Sequence, residues 1–133
     1  MDTSATMAWC FADERTAASL VLLDRVSADG AVVPALWHAE VANVLAQAER
    51  RRRIAPAATA EFLALLGELR LDTDDAPPGR ATGPVLALAR EHGLTAYDAT
   101  TLDLATRRGL ALATRDAELR RAAGAVGVAL LDA

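Results

Sequence analysis

The sequence predicts one α/β domain organised on a mostly parallel sheet, and three observations carry that prediction. Apolar residues at helical spacing alternate with short β-like runs, the pattern of strand-helix-strand units. The chain has 133 residues, enough for one hydrophobic core and too few for two typical ones. No internal repeat or low-complexity tract interrupts the alternation beyond a general richness in alanine.

From Asp13 to about Ala28, residues Ala17, Leu20, Val21, Leu23 and Val26 recur at helical spacing, and Asp29-Gly30 stops the run. Ala31-Val32-Val33 is a short strand ended by Pro34, whose ring cannot donate to a ladder. Leu36 to Arg53 reads as a second helix bearing Trp37, Val41, Val44, Leu45 and Ala48. Pro56 suits the start of a third, where its missing N–H costs nothing, and that helix carries Phe62, Leu63, Leu65, Leu66 and Leu69. Asp74 to Gly79 is the clearest loop and reads as a polar surface connection. Pro84 opens a helix through Val85, Leu86, Leu88 and Ala89, stopped by His92-Gly93, and another runs from about Tyr97 to Arg108 before Gly109. Leu110 to Ala113 reads as a buried strand, Asp116 to Ala123 as a short helix and Val128 to Leu131 as a last strand.

Composition narrows the function. Hydrophobic residues make up 53% and aromatic ones only 4%, so the core should be aliphatic, built from Ala, Leu and Val. The single Cys10 excludes an internal disulfide and fits a reducing compartment; with only His38 and His92 beside it, no thiolate-histidine zinc site assembles. No apolar run reaches the roughly 20 residues of a membrane span, and the N-terminus lacks a secretory signal's basic flank, so the expected location is the cytoplasm. A net charge of −4 argues against a general nucleic-acid coat. It leaves room for a nuclease, which carries acids in its pocket and meets phosphates with arginines on the rim. Every basic side chain is Arg. Without lysine, neither a P-loop nor a phosphoacceptor signalling domain has its phosphate-gripping residue. A haloacid-dehalogenase-like phosphatase needs a second acid two residues after Asp2, where Ser4 stands.

Four carboxylates stand in otherwise apolar or small-residue stretches: Asp2, Glu40, Asp98 and Asp116. Acids are rarely left unpaired among buried residues. Two of them about 4 Å apart repel by roughly 4 kcal/mol at an effective dielectric of 20, so a shared pocket needs protons or a divalent cation. Oxygen-only ligands favour magnesium or manganese over zinc. Singly, some have ordinary explanations: Thr95-Ala96-Tyr97-Asp98 is a capping-box pattern, and Asp116 lies at a helix start that favours negative charge. Glu40 is harder to dismiss, because with Asn43 and Gln47 it draws a polar stripe along an apolar helix. Asp103 lies five residues on from Asp98 and points about 140° away, which makes it a solvated acid or an arginine partner. Arg50-Arg51-Arg52-Arg53 reads as a solvated helix end, with an RNA-facing patch as the minor reading. His38 and Cys10 read as packing or surface residues.

In order, these residues resemble the PIN domain, and most closely the VapC-type toxins of toxin-antitoxin pairs, over nearly the whole chain. Asp2-Thr3-Ser4 with Ala8-Trp9 looks like that family's opening acid motif, and Val33 to Leu45 looks like the segment carrying its glutamate. Leu94-Thr95-Ala96-Tyr97-Asp98-Ala99 looks like the third acid's motif and Leu112 to Leu119 like the fourth. The resemblance implies a three-layer α/β/α sandwich around a mostly parallel sheet of four or five strands, as one domain over residues 1–133. It implies an endoribonuclease in which Asp2, Glu40, Asp98 and Asp116 bind one or two Mg²⁺ or Mn²⁺ ions and metal-activated water cuts RNA to 5′-phosphate and 3′-hydroxyl ends. Ser4 and Thr114 would be supporting hydroxyls. A homodimer and a small antitoxin with a basic side chain in the pocket are the implied partners. The main alternative is a PIN-like module with an impaired pocket that acts only through protein partners. One departure stands out: where the family places a hydrophobic strand before its first acid, only Met1 precedes Asp2. The start is then trimmed or misassigned, or the first strand is short and Asp2 sits on a frayed end. A chain extended there by several apolar residues is expected to bind metal more tightly.

Overall fold

The structure is a computed structural model that describes residues 1–133. Seven helices surround four short strands. The order is α1 (Thr3–Cys10), α2 (Ala17–Asp29), β1 (Ala31–Pro34), α3 (Trp37–Arg50), α4 (Pro56–Glu68), β2 (Leu71–Asp74), α5 (Leu86–His92), α6 (Ala96–Arg108), β3 (Leu112–Ala113), α7 (Ala117–Ala125) and β4 (Leu130–Leu131). A π-helical turn, Ala81–Val85, runs into α5 and contains Pro84, so this helical segment begins before its proline. No helix is long and apolar enough to cross a membrane.

All strand pairing is parallel, as the alternation of elements requires. The expected single sheet of four or five strands is instead two parallel pairs, β1–β2 and β3–β4. Met1 and Asp2 lie between them. The Met1 ammonium donates to the Val32 carbonyl at 3.0 Å, and Asp2 N–H donates to the Ala113 carbonyl at 3.1 Å. Two residues bridge the pairs without forming a ladder. Asp2 is 8% exposed and bonded through backbone and side chain, so this acid does not sit on a frayed end.

Local chemistry sets most boundaries. Thr16 caps α2 through a reciprocal capping box with Ser19, which starts that helix at Ala17 rather than near Asp13. Gly30 ends it at φ 78°, where an added Cβ would meet Arg70 Nε at 2.8 Å and its carbonyl at 2.9 Å. Only glycine fits both the angle and that approach. The helix α3 stops at Arg50, because Arg51 turns out of helical geometry and Arg52 takes φ 57°. The stretch read as a loop from Asp74 begins inside β2, and Asp74 is buried, held by Arg107 and Arg108 of α6. Asp103 is also buried and pairs with Arg80 and Arg107, so the arginine-partner reading of that acid holds.

The core falls into two clusters. The smaller, around Leu102, Leu112 and Leu119, is aliphatic and seats α6 and α7 against β3. The larger one contains Trp9, Phe11, Trp37 and Phe62, so the few aromatics concentrate there and the core is not purely aliphatic. Both indoles find partners: Trp9 donates to the Ser19 carbonyl at 2.8 Å and Trp37 to Thr6 Oγ1 at 3.1 Å. Thr6 Oγ1 in turn donates to the Asp2 carbonyl at 3.0 Å. That chain of bonds fixes α3 against the start of α1 and carries Asp2 and Glu40 toward each other.

Candidate active site

Asp2 is the N-cap of α1, its Oδ1 accepting the Ala5 N–H at 3.0 Å. Ser4 Oγ, in the first turn of the same helix, lies 2.9 Å from both carboxylate oxygens of Asp2 and donates to them. Thr114, just past β3, donates to Asp2 Oδ2 at 2.6 Å. These hydroxyls are themselves held: Ser4 Oγ accepts the Arg115 N–H at 2.8 Å and Thr114 Oγ1 the Asp116 N–H at 3.1 Å. Burial pushes the Asp2 pKa above the ordinary carboxylate range, against the pull of the Thr114, Ala5 and Ser4 hydrogen bonds.

Glu40 lies in the first turn of α3 and accepts the Thr3 hydroxyl at 2.9 Å. Its pKa is raised, first by burial and then by the charges of Asp98 and Asp2, with the Thr3 bond opposing. Thr95 caps α6 by accepting the Asp98 N–H at 3.1 Å, and its hydroxyl donates to Asp98 Oδ2 at 2.6 Å. Asp116 caps α7, its Oδ1 accepting the Leu119 N–H at 2.8 Å. The helix-end role of Asp116 is therefore real, whereas the Thr95–Asp98 capping box is only half formed, Asp98 accepting the Thr95 hydroxyl rather than its backbone N–H; both acids also line the same space.

That space is a cleft of about 660 Å³ lined by Asp2, Glu40, Asp98 and Asp116 together with Thr3, Ser4, Asn43 and Tyr97. None of the four acids forms a salt bridge, whereas Asp74 and Asp103 outside the cleft are each held by two arginines. Glu40 Oε1, Asp98 Oδ1 and Asp116 Oδ2 accept no hydrogen bond from the protein. Hard oxygen donors with no basic partner suit a hard divalent cation, so the donor set fits magnesium or manganese. No three of the acidic, histidine or cysteine side chains stand close enough together to hold one ion directly.

Glu14 and Arg115 were not expected in the site, and Arg53 was marked only by the minor reading of its arginine run. Glu14, Arg53 and Arg115 form one corner: Arg53 Nη2 bonds Glu14 at 2.6 Å and Asp13 at 2.9 Å, its guanidinium stacks 3.7 Å over the Phe11 ring, and Arg115 Nη1 donates to the Glu14 carbonyl at 3.1 Å. Of the four-arginine run only Arg53 reaches the cleft. No local signal places Glu14 and Arg115 here, or singles Arg53 out of its run, because the contacts join positions about 40 and 100 apart. Thr3 was legible only as part of the opening motif. His38 faces away, its Nε2 2.8 Å from Thr73 Oγ1.

Parallel strands wrapped by helices, with a carboxylate cleft beside β3, define an α/β domain with an acidic site. A PIN domain model matches residues 1–125, so the chain belongs to the PIN domain family, whose members are typically metal-dependent nucleases. It is similar to the crystal structure of PAE2754 from Pyrobaculum aerophilum, with a TM-score of 0.69 and 29% identity over 91% of this chain and 82% of that one. No curated protein matches the chain in sequence.

Proposed function

We propose that the chain is a metal-dependent endoribonuclease acting as the toxin of a VapC-type pair. The observation that carries this reading is the convergence of four carboxylates without basic partners on one cleft of a PIN domain. Asp2, Glu40, Asp98 and Asp116 would hold Mg²⁺ or Mn²⁺, in part through water, since no three of them meet at one point. When bound, the cation lowers the pKa of water and offsets charge on the phosphoryl oxygens.

The chain's own residues position the rest. Ser4 and Thr114 lock the Asp2 carboxylate, and Thr3 orients Glu40. Arg53 and Arg115, both paired with Glu14 in the free protein, would have to exchange that carboxylate for phosphate oxygens to bind RNA there. Hydrolysis without use of the 2′-hydroxyl leaves 5′-phosphate and 3′-hydroxyl ends. A homodimer, a small antitoxin with a basic side chain in the cleft and a cytoplasmic location complete the proposal.

The test is RNA cleavage with magnesium or manganese, with EDTA and Asp98→Asn as controls. Cutting that survives EDTA, or full activity in the variant, refutes the mechanism. A second reading, a binding module with an impaired pocket, draws on the absence of three acids at direct ion-sharing distance. Wild-type protein that binds RNA or a protein partner without ever cutting would select it.

A further inference from the structure

Four of the five aromatic side chains serve the core: Trp9, Trp37, Phe11 and Phe62 are 2 to 6% exposed. The fifth, Tyr97, is 62% exposed and lines the carboxylate cleft, directly before Asp98. Its side chain takes no part in any hydrogen bond within the protein, while its backbone is fixed in the first turn of α6 behind the Thr95 cap. A ring left in water on a rigid helix end contributes little to folding and is well placed to receive a flat apolar ligand.

The charge of the cleft says what such a ring is for. Five acids face two arginines there, and Glu14 already occupies both guanidiniums. Attraction for a polyanion is therefore weak, and an RNA needs a contact that does not depend on charge. Stacking of a base on an aromatic ring is such a contact, and it tolerates any base because every base has a π-face. Only an unpaired base can offer that face, since a duplex keeps both faces covered by its neighbours.

Resting on the nuclease reading, we propose that Tyr97 is the stacking platform for an unpaired base next to the phosphate addressed by the acids, and that it makes the cleft select single-stranded over duplex RNA. The experiment uses the full chain with fluorescein-labelled oligoadenylate, free or annealed to oligouridylate. Binding is followed by anisotropy in calcium, and cleavage separately in magnesium or manganese. Tyr97→Ala should weaken single-strand binding by about 5- to 100-fold. It should raise KM by the same factor with kcat little changed, and leave the weaker duplex binding as it was. Tyr97→Phe and Tyr97→Trp should restore single-strand binding, and unchanged circular dichroism controls for folding. Wild-type single-strand affinity in Tyr97→Ala, or an equal loss on the duplex, overturns the stacking role and leaves the nuclease standing if wild-type protein still cuts. Wild-type protein that neither binds nor cuts RNA removes both readings.

Discussion

The Thr114 hydroxyl donates to Asp2 Oδ2 over 2.6 Å, across 112 positions of sequence. Thr114 Oγ1 also accepts the Asp116 N–H, so one side chain ties the cleft's first acid to its last. Among the contacts that oppose the rise in Asp2 pKa from burial, this bond is the largest.

Thr114→Val keeps the shape and removes the donor. A buried carboxylate deprived of a partner costs about 1–3 kcal/mol, to be read by urea denaturation. Cleavage should fall about 10- to 100-fold, the usual cost of losing a residue that orients a metal ligand, and Thr114→Ser should recover most of it. Undiminished stability in Thr114→Val would show that the bond does not matter.

Glu40→Gln should stabilise the metal-free protein while abolishing cleavage. Burial and the neighbouring Asp98 and Asp2 charges raise the Glu40 pKa, so its ionisation costs the folded state stability above that raised value. The expected gain is below about 1 kcal/mol, the scale of like charges in high dielectric. It is full near neutral pH in EDTA, shrinks as pH falls through the folded pKa and is gone below the ordinary value of 4.5. Thermal melts across that range check the sign.

Asp74→Ala should cost about 1.5–3 kcal/mol, because it removes the buried carboxylate to which Arg107 and Arg108 donate, while both guanidiniums keep some access to water. Hydrogen bonds from Arg107, then from Arg108, hold the Asp74 pKa below its ordinary value, against the opposing effect of burial. The stabilisation is therefore complete above 3.8 and lost only as pH falls through the lower folded pKa. Denaturation near neutral pH and in mild acid should show the same deficit in the variant.

Magnesium or manganese should raise the melting temperature, since the folded chain alone gathers the four acids. At a hundred times Kd the gain is about 2.7 kcal/mol. Asp98→Asn should lose most of that shift yet fold normally, because Thr95 rather than Asp98 caps α6. An equal shift in both proteins would place the ion elsewhere.

Helices α2 and α3 were legible because each carries one buried face at regular spacing, and α6, buried at five successive positions from Thr101 to Ala105, was legible from its ends, the Thr95-to-Asp98 start and the Gly109 stop. The helix α1 was not. Residues Ala5 to Trp9 are all buried, and a helix covered on every side shows no periodicity to read. The strand β2 was hidden too, since Leu-Asp-Thr-Asp has one apolar residue and its stability comes from β1 and from arginines more than 30 positions away. Glu14, Arg53 and Arg115 belong to the same class of distant contact.

By itself the sequence determined which acids lack neighbours to neutralise them, where most of the helices lie, and that Gly30, Gly93 and Gly109 stop three of them, because those effects act within a turn or two of the chain. Only the tertiary structure decided that the acids share one cleft, that Asp74 and Asp103 are instead neutralised by arginines, that the strands form two pairs joined through Met1–Asp2, and that Tyr97, unlike the tryptophans and phenylalanines, is exposed at the cleft. Each of those outcomes depends on closing long loops, and what decides it is the packing energy of the whole core rather than any local preference.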